Sequence, residues 1–170
     1  MNLDFSEWDY GAGQDISGGI ATADVLGIFG RYGVHAAAFW GLGTSNAYAY
    51  GAFAMFRNYD GHGSGFGDTE VKATTTDRAG TSVYASIDEA APGRVVIVAI
   101  NKNLGPTTAT VHLEGVTAPS ASVFTLTSAH PTPQPAPGLA VGAQGTFRYT
   151  MPAQSVSVLV PHAAPAASTR

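Results

Sequence analysis

The sequence contains no cysteine and few charged residues. The absence of cysteine excludes disulfide bridges, thiolate metal ligands and a cysteine nucleophile among its 170 residues. Charged residues make up only 12% of the chain, and its eight Lys and Arg are scattered among twelve Asp and Glu. A nucleic-acid surface needs basic residues concentrated on one face, so the sequence argues against a nucleic-acid partner.

Long apolar runs are also absent. The most hydrophobic stretches, "VHAAAFWGLG" and "VVIVAI", are too short to span a bilayer, and the N-terminus lacks a basic region followed by an apolar one. We therefore expect no membrane partner, and any export signal would lie upstream. Hydrophobic residues still make up 45% of the chain, which is enough for a folded core of one domain, or of one small domain and part of another.

The first sixty residues alternate between strand and helix patterns. Two short apolar runs, "NLDFSEW" and "GVHAAAFWGLG", are each followed by a helical pattern. Ser17 is the predicted N-cap of the first helix, and Ser45 or Asn46 that of the second. Asp15 and Asp24 are read as helix-start and helix-surface groups. The pattern indicates two βα units with a parallel sheet, in whose second strand His35 is predicted to be a core histidine.

After residue 68 the hydrophobic period becomes two. Seven short runs rich in β-branched residues are separated by Gly, Pro, Asn and Asp turns, a pattern typical of an antiparallel β-sandwich. The proline-rich stretch "HPTPQPAPG" is predicted to be a loop. Thus residues 61–68 form a predicted glycine-rich linker, 69–162 the sandwich and 163–170 a disordered tail.

Two βα units alone would leave open sheet edges and uncovered apolar faces. A (β/α)8 barrel of roughly 250 residues would cover them. The predicted fold class is accordingly α/β plus all-β: residues 1–60 are the last two βα units of a (β/α)8 barrel, strands 7 and 8 with their helices, followed by the antiparallel β-sandwich.

A carboxylate and three aromatic residues fall where the two predicted parallel strands end. Glu7, Trp8 and Tyr10 follow the first strand, and Trp40 ends the second. Barrel enzymes carry catalytic residues at such strand ends, and sugar rings stack on indoles and phenols. Retaining glycoside hydrolysis needs two carboxyl groups about 5 Å apart, of which Glu7 could supply one. On pattern alone, a solvated loop glutamate beside packing aromatics is the favoured interpretation.

Three long stretches carry a resemblance to glycoside hydrolase family 44. They are "SEWDYGAGQDISGGIATADVLGIFGRYGVHAAAFWGLG", "AFAMFRNYDGHGSGFGDTEVKATTTD" and "VVIVAINKN", so the chain resembles the carboxyl-terminal portion of that family up to about residue 126. The family comprises extracellular endo-β-1,4-glucanases and xyloglucanases with a barrel and a β-sandwich. The resemblance implies that Glu7, in "SEWDYG", is the nucleophile, and that Trp8, Tyr10 and Trp40 bind a β-glucan. The motif departs from the family pattern at Trp8 and Asp9, where Tyr and Asn are usual.

The resemblance also implies what this chain lacks. The family's acid/base glutamate belongs to the fourth barrel strand, whereas the later acids of this sequence fall in the linker or the sandwich. We therefore expect a fragment that needs a missing upstream barrel segment and is inactive alone. No organic cofactor is implied, and a structural calcium ion is possible only by analogy. In "DGHGSGFGD", Asp60, His62 and Asp68 with the flexible glycines could hold a calcium ion, but the spacing fails the calcium-loop pattern and a glycine-rich hinge is favoured.

A non-catalytic role is the main alternative. The β-sandwich could be a carbohydrate-binding or structural module in which Tyr84, Phe124, Phe147 and Tyr149 are candidate stacking residues. Their positions in the alternating pattern favour plain core packing. A serine hydrolase is a weaker alternative, because "GLGTSNA" places Ala47 where the nucleophile motif requires glycine.

Overall fold

The computed structural model describes residues 2–162, so the predicted tail at 163–170 lies outside the described residues. This part of the chain is mostly sheet, with two α-helices. The elements in chain order are β1 (Leu3–Trp8), α1 (Ile16–Arg31), β2 (Val34–Phe39), α2 (Ala47–Arg57), β3 (Thr69–Val71), β4 (Thr81–Asp88), β5 (Ala91–Asn101), β6 (Thr107–His112), β7 (Ser120–Thr127), β8 (His130–Ala140), β9 (Thr146–Met151) and β10 (Ser155–His162). Neither described helix is long and apolar enough to cross a membrane.

The strands form three sheets. β1 and β2 pair in parallel, as the βα pattern predicts. An antiparallel six-stranded sheet has the order β3-β4-β5-β10-β7-β8, and β6 pairs with β9 in a separate antiparallel ribbon. The predicted switch from βα units to antiparallel strands is therefore confirmed, and each of the seven predicted period-two runs contains a strand.

The proline-rich stretch is a strand, so its prediction as a loop was wrong. It forms β8, which pairs with β7 at the edge of the six-stranded sheet. The pairing register shifts between Ala121 and Val123 and again between Thr125 and Thr127. Proline cannot donate to a sheet ladder, but an edge strand needs partners on one side only. The edge position and irregular register therefore accommodate the prolines.

Helix α1 begins at a cap two residues before the predicted one. The side chain of Asp15 accepts a hydrogen bond from the Ser17 amide at 2.9 Å, which makes Asp15 and not Ser17 the N-cap. Hydrogen bonds from Ser17 hold the pKa of Asp15 below its ordinary value. The helix ends at Arg31, and Gly33 follows with a φ of 63°, a conformation that favours glycine.

Two hydrophobic cores lie on opposite faces of the six-stranded sheet. The first joins α1 and α2 to the sheet through residues such as Ile20, Met55 and Val98. The second lies between the six-stranded sheet and the β6–β9 ribbon, and includes Ile97 and Phe147. Because the first core contains side chains from both halves of the chain, the helices and the sheet are packed as one body.

Asp24 lies at the contact between α1 and the sheet, so its prediction as a helix-surface group was wrong. Its carboxylate accepts a 2.6 Å hydrogen bond from the Tyr84 hydroxyl and pairs with Lys102 Nζ at 2.8 Å. Burial alone would raise the pKa of Asp24, but hydrogen bonds from Lys102, Tyr84 and Ser82 outweigh it and lower that pKa. Burial and the neighbouring Asp24 carboxylate raise the pKa of Tyr84.

Hydrogen bonds hold the glycine-rich segment 61–68 at both of its ends. The Asp60 carboxylate accepts bonds from the amides of His62 and Ser64, and the Phe66 amide donates to the Phe56 carbonyl at 2.7 Å. Gly67 donates to Ser86 Oγ at 2.8 Å. These bonds attach the segment to both α2 and the six-stranded sheet.

Candidate active site

The end of β1 carries an irregularity that sorts its side chains between two faces. Phe5 pairs with Ala37 and Trp8 with Phe39, so three steps along β1 match two along β2. Both the Phe5 and the Trp8 rings contact Phe29 of α1, with centroids 5.1 Å apart in each case. In a regular strand, residues three apart point to opposite faces. The irregularity therefore turns both rings toward the helices, as an inserted residue in a β-bulge can do.

Trp8 lies in an aromatic cluster under the strand end. Its indole meets Phe39 edge-on at 4.8 Å and Phe53 of α2 at 6.1 Å, in addition to Phe29. Its Nε1 atom is buried and has no hydrogen-bond partner among the described residues. The ring thus joins β1 to both helices. The prediction that Trp8 stacks a sugar has no contact in the structure to test it and stays a prediction.

Glu7 is exposed and directly precedes Trp8. Its side chain is therefore open to solvent, whereas the neighbouring Trp8 ring packs on the helices. Asp4 pairs with His35 of β2 at 3.0 Å. The His35 side chain is 62% exposed, so its prediction as a core histidine was wrong. This two-stranded sheet therefore carries exposed polar side chains.

The loop after β1 is held in an unusual backbone conformation. Asp9 accepts a hydrogen bond from the Gly11 amide at 2.9 Å, which ties its side chain to the loop. Gly11 has a φ of 68° and Ala12 a φ of 50°, and a positive φ at alanine is strained. The Ala12 carbonyl accepts from the Asp15 amide at 2.9 Å, which ties the strained residue to the start of α1. Such strain is commonly retained near functional sites.

Asn46 joins this loop to the loop after β2. Its Nδ2 donates to the Gly41 carbonyl at 2.7 Å, and its side chain lies against Gly13, where an added Cβ would be 2.7 Å from Asn46 Oδ1. The Gly13 carbonyl also accepts from the amides of Tyr48 and Ala49 at the start of α2. The sequence offered Asn46 only as a helix cap, and its side chain makes no cap hydrogen bond. Its bridging role depends on a contact across 33 residues that no local pattern reveals.

Two of the predicted aromatic residues are open to solvent at the strand ends. Tyr10 is 65% exposed and Trp40 is 64% exposed. The Trp40 amide donates to the Trp8 carbonyl at 2.9 Å, which places the residue after β2 beside the end of β1. The structure thus brings Glu7, Trp8, Tyr10 and Trp40 to one end of the parallel pair, as their positions in the sequence predicted.

This arrangement supplies the exposed carboxylate of Glu7 and the exposed aromatic faces of Tyr10 and Trp40. Asp4 lies three residues before Glu7, about 10 Å along the strand, which exceeds the separation of about 5 Å that a retaining glycosidase needs. Asp9 is engaged with Gly11. The site can therefore present a nucleophile and an apolar surface for sugar rings, while neither adjacent aspartate meets the requirement for its partner acid.

The sequence and the structure were compared with those of known proteins. No family model matches the sequence. Endoglucanase A of Paenibacillus lautus is 46% identical over 114 residues, which are 66% of this chain and 16% of that protein. Among solved structures, the family 44 endoglucanase Cel44A of Clostridium thermocellum superposes with a TM-score of 0.91 at 38% identity, covering 95% of this chain and 32% of that one. A family 44 xyloglucanase of Paenibacillus polymyxa, solved with xyloglucan, gives 0.92 at 34%, covering 96% and 33%.

The two solved structures match almost all of this chain, but each of the three relatives is itself matched only in part. The chain spans about a third of the length of these solved structures and less than a fifth of the curated relative. The structural likeness extends over both the parallel βα units and the antiparallel sheets, since it includes 95% of the residues. The chain is therefore related, over nearly its whole length, to the carboxyl-terminal portion of glycoside hydrolase family 44.

Proposed function

We propose that this chain is part of a glycoside hydrolase that cleaves β-1,4-glucans such as cellulose or xyloglucan. The relatives named as endoglucanases and a xyloglucanase support this substrate class. In this proposal, residues 1–60 complete the end of a (β/α)8 barrel, 61–68 connect it to the sandwich and 69–162 form a β-sandwich that supports it. The protein would act outside the cell, where its polymeric substrate is found.

Glu7 is the proposed nucleophile of a retaining mechanism. The observation that carries this assignment is its position: an exposed carboxylate at the end of a parallel strand, beside Trp8, whose ring packs on the helices. In a barrel, an exposed carboxylate at such a strand end would lie where the strand ends converge around the axis. Glu7 would attack the anomeric carbon, and a second carboxyl group would protonate the leaving oxygen and then activate water.

The aromatic residues have two different proposed roles. Trp40 and Tyr10 would stack against sugar rings, because both expose their side chains at the same end of the strand pair as Glu7. Trp8 would contact the substrate only through its exposed part, since its ring packs on Phe29, Phe39 and Phe53. We therefore assign to Trp8 mainly the positioning of Glu7 and Trp40.

Hydrolysis by the 170-residue chain alone is the experiment that tests the proposal. Carboxymethyl cellulose and xyloglucan are incubated with the chain, with Glu7→Gln, and with a longer protein in which the corresponding upstream barrel units of a family 44 relative precede the chain. We expect turnover only from the longer protein, reduced by about 10³-fold or more when Glu7 is replaced, because the covalent step is lost.

Two results would overturn parts of the proposal separately. Turnover by the 170-residue chain that disappears in Glu7→Gln would mean that the acid/base group lies within this chain. Full turnover by the longer protein carrying Glu7→Gln would remove Glu7 from the mechanism. Asp9→Asn is the matched control, since it removes a nearby charge from the loop but leaves the proposed nucleophile in place.

A further inference from the structure

A cavity of about 700 Å³ lies on the six-stranded sheet, away from the parallel strands. We call it the Phe124 cavity. It lies between the segment that follows α2, the start of β5, and neighbouring positions of β7 and β10. Its lining residues include Tyr59, Asp60, Arg94, Ser122, Phe124 and His162. No residue of β1 or β2 lines it, so it is distinct from the site around Glu7.

Among the four aromatic residues proposed as stacking groups of a binding module, Phe124 alone lines this cavity. Tyr84, Phe147 and Tyr149 are buried in the two cores, as the packing interpretation of the sequence predicts. Phe124 is half-buried, and its ring is supported by Tyr59 at a centroid distance of 5.1 Å. A half-buried aromatic ring that lines a cavity and packs on a second ring is suited to the apolar face of a sugar ring.

The polar groups around the ring are fixed by bonds within the protein. Arg94 donates to the Tyr59 hydroxyl and the Gly65 carbonyl, both at 3.0 Å, and pairs with Asp88. These contacts use three of the five N–H donors of Arg94. Ser122 Oγ and His162 Nε2 are 2.7 Å apart, which leaves the Nδ1 atom of His162 for a further bond. The cavity therefore offers oriented donors and acceptors with capacity remaining.

The charges of the cavity favour a neutral ligand. The Arg94 guanidinium is neutralised by Asp88. The Asp60 carboxylate lines the same cavity, and hydrogen bonds from Ser64 and His62 lower its pKa, so that it is ionised at neutral pH. An anion would be repelled by Asp60, and a metal cation would find one carboxylate where several oxygen ligands are needed. Hydroxyl groups, in contrast, can both donate to Asp60 and accept from Arg94.

We propose that the Phe124 cavity is a second, non-catalytic binding site for a neutral saccharide. One sugar unit would lie on Phe124, with its hydroxyl groups bonded to Asp60, Arg94 and His162. The choice of a β-1,4-glucan as ligand rests on the proposed function, but the site itself does not depend on Glu7. A polymer bound there would be held on the enzyme independently of the cleavage site, which raises its local concentration.

Binding of cellohexaose to the 170-residue chain tests this proposal. Affinity is measured by calorimetry, and the binding surface is mapped from amide NMR shifts. We expect His162→Ala and Phe124→Leu each to weaken binding at this site by about fivefold or more, because one loses a polar contact and the other the aromatic face. Shifted amides should include Ser64, Gly93 and Ser122.

Matched variants separate binding from stability. His112→Ala removes another exposed strand histidine that contacts a hydroxyl, Thr146 Oγ1, and Phe147→Leu removes a buried core ring. Both should leave the affinity within about twofold of the starting protein. Absence of shifts in the cavity at about 10 mM cellohexaose, or equal effects of His162→Ala and His112→Ala, would overturn the proposal. Trp40→Ala distinguishes the sites, because it should alter shifts near Gly41 and leave those near Ser122 unchanged.

Discussion

At the scale of single residues, Asp24 shows how a charge can serve the fold rather than catalysis. Its carboxylate is largely enclosed between α1 and β4, and bonds to Tyr84 and Lys102 compensate the cost of its burial. Arg31, about two turns further along the same helix, lies 4.7 Å from the centre of the Tyr84 ring and donates to the Val83 carbonyl. Together these polar contacts fix α1 on the sheet beside the first core.

The lowered pKa of Asp24 predicts a pH dependence of stability. A carboxylate whose folded pKa is depressed stabilises the protein above its ordinary value of 3.8, and this contribution is lost as the pH falls through the folded pKa. We expect Asp24→Asn to reduce the free energy of unfolding by about 1–2 kcal/mol at pH 7, and by progressively less below about pH 4. Denaturant titrations of the starting protein and of Asp24→Asn, from about pH 2 to about pH 7, measure this difference in the free energy of unfolding.

Lys102→Met, alone and combined with Asp24→Asn, tests whether the ion pair with Lys102 causes the effect. If the Asp24–Lys102 pair is the source of the effect, the double variant should cost less than the sum of the two single variants. A difference between the starting protein and Asp24→Asn that stays constant across the pH range would show that the carboxylate charge contributes nothing.

The sequence pattern predicted where residues lie along the strands better than it predicted their burial and their bonding partners. Glu7, Tyr10 and Trp40 lie exposed at the strand ends where the sequence placed them. The sequence did not reveal the partners of Asp24 and His35, which are 78 and 31 residues away in the chain. Because burial and ion pairing depend on such distant partners, a histidine in an apolar run was misread as buried.

At the scale of elements, two glycines of α1 have opposite surroundings: Gly27 lies against the sheet, and Gly30 faces open space. A Cβ added at Gly27 would lie 2.3 Å from the Tyr84 ring, whereas a Cβ added at Gly30 would have no described side chain and no backbone from outside α1 and the adjoining chain within 4 Å. The Tyr84 ring cannot easily move, since its hydroxyl is bonded to Asp24 and Arg31 lies over its face. Gly27 therefore permits the close approach of α1 to β4.

We expect Gly27→Ala to destabilise the protein and Gly30→Ala to stabilise it. The first substitution should cost about 1–3 kcal/mol through overpacking, and the second should gain about 0.5–1 kcal/mol of helix propensity. Thermal unfolding of the two variants beside the starting protein measures both shifts. Equal effects at the two positions would mean that helix propensity, and not the contact with Tyr84, decides the outcome.

The elements themselves were largely predictable because their periods are clear. Both helices and the seven period-two strands arise from local patterns that tertiary contacts reinforce. Strand β8 is the exception, because its prolines weaken the strand signal and its edge position becomes evident only after β7 is in place. The N-cap of α1 is Asp15 and not the predicted Ser17 for a similar reason. Both residue types can cap a helix, and the geometry of the preceding loop decides which of them does.

At the scale of the whole molecule, the two halves share one core. The first core combines residues of α1 and α2 with residues of β4, β5, β7 and β10. The parallel strand pair contacts both helices, since the Trp8 ring of β1 meets Phe29 of α1 and Phe53 of α2. The compositional change near residue 60 therefore marks a change of architecture, while the packing continues across it.

This shared core predicts that the described halves unfold together. Met55 of α2 is fully buried in the first core, so Met55→Ala should cost about 2–5 kcal/mol. The two tryptophans, Trp8 and Trp40, report on the parallel strands, whereas the amide NMR signals of residues such as Val98 and Val158 report on the six-stranded sheet. We expect both signals to follow one transition, and both midpoints to fall equally in Met55→Ala.

Leu104→Ala is the control for this last prediction, because Leu104 is 85% exposed and its loss should change stability by less than about 0.5 kcal/mol. If the tryptophan signal of Met55→Ala shifted while the sheet signal kept its midpoint, the six-stranded sheet would be stable without the helices. Residues 69–162 would then be an independent domain. Coincident shifts would instead mean that removing residues 1–60 exposes the helix-facing side of the six-stranded sheet, with its buried Val96, Val98 and Val158.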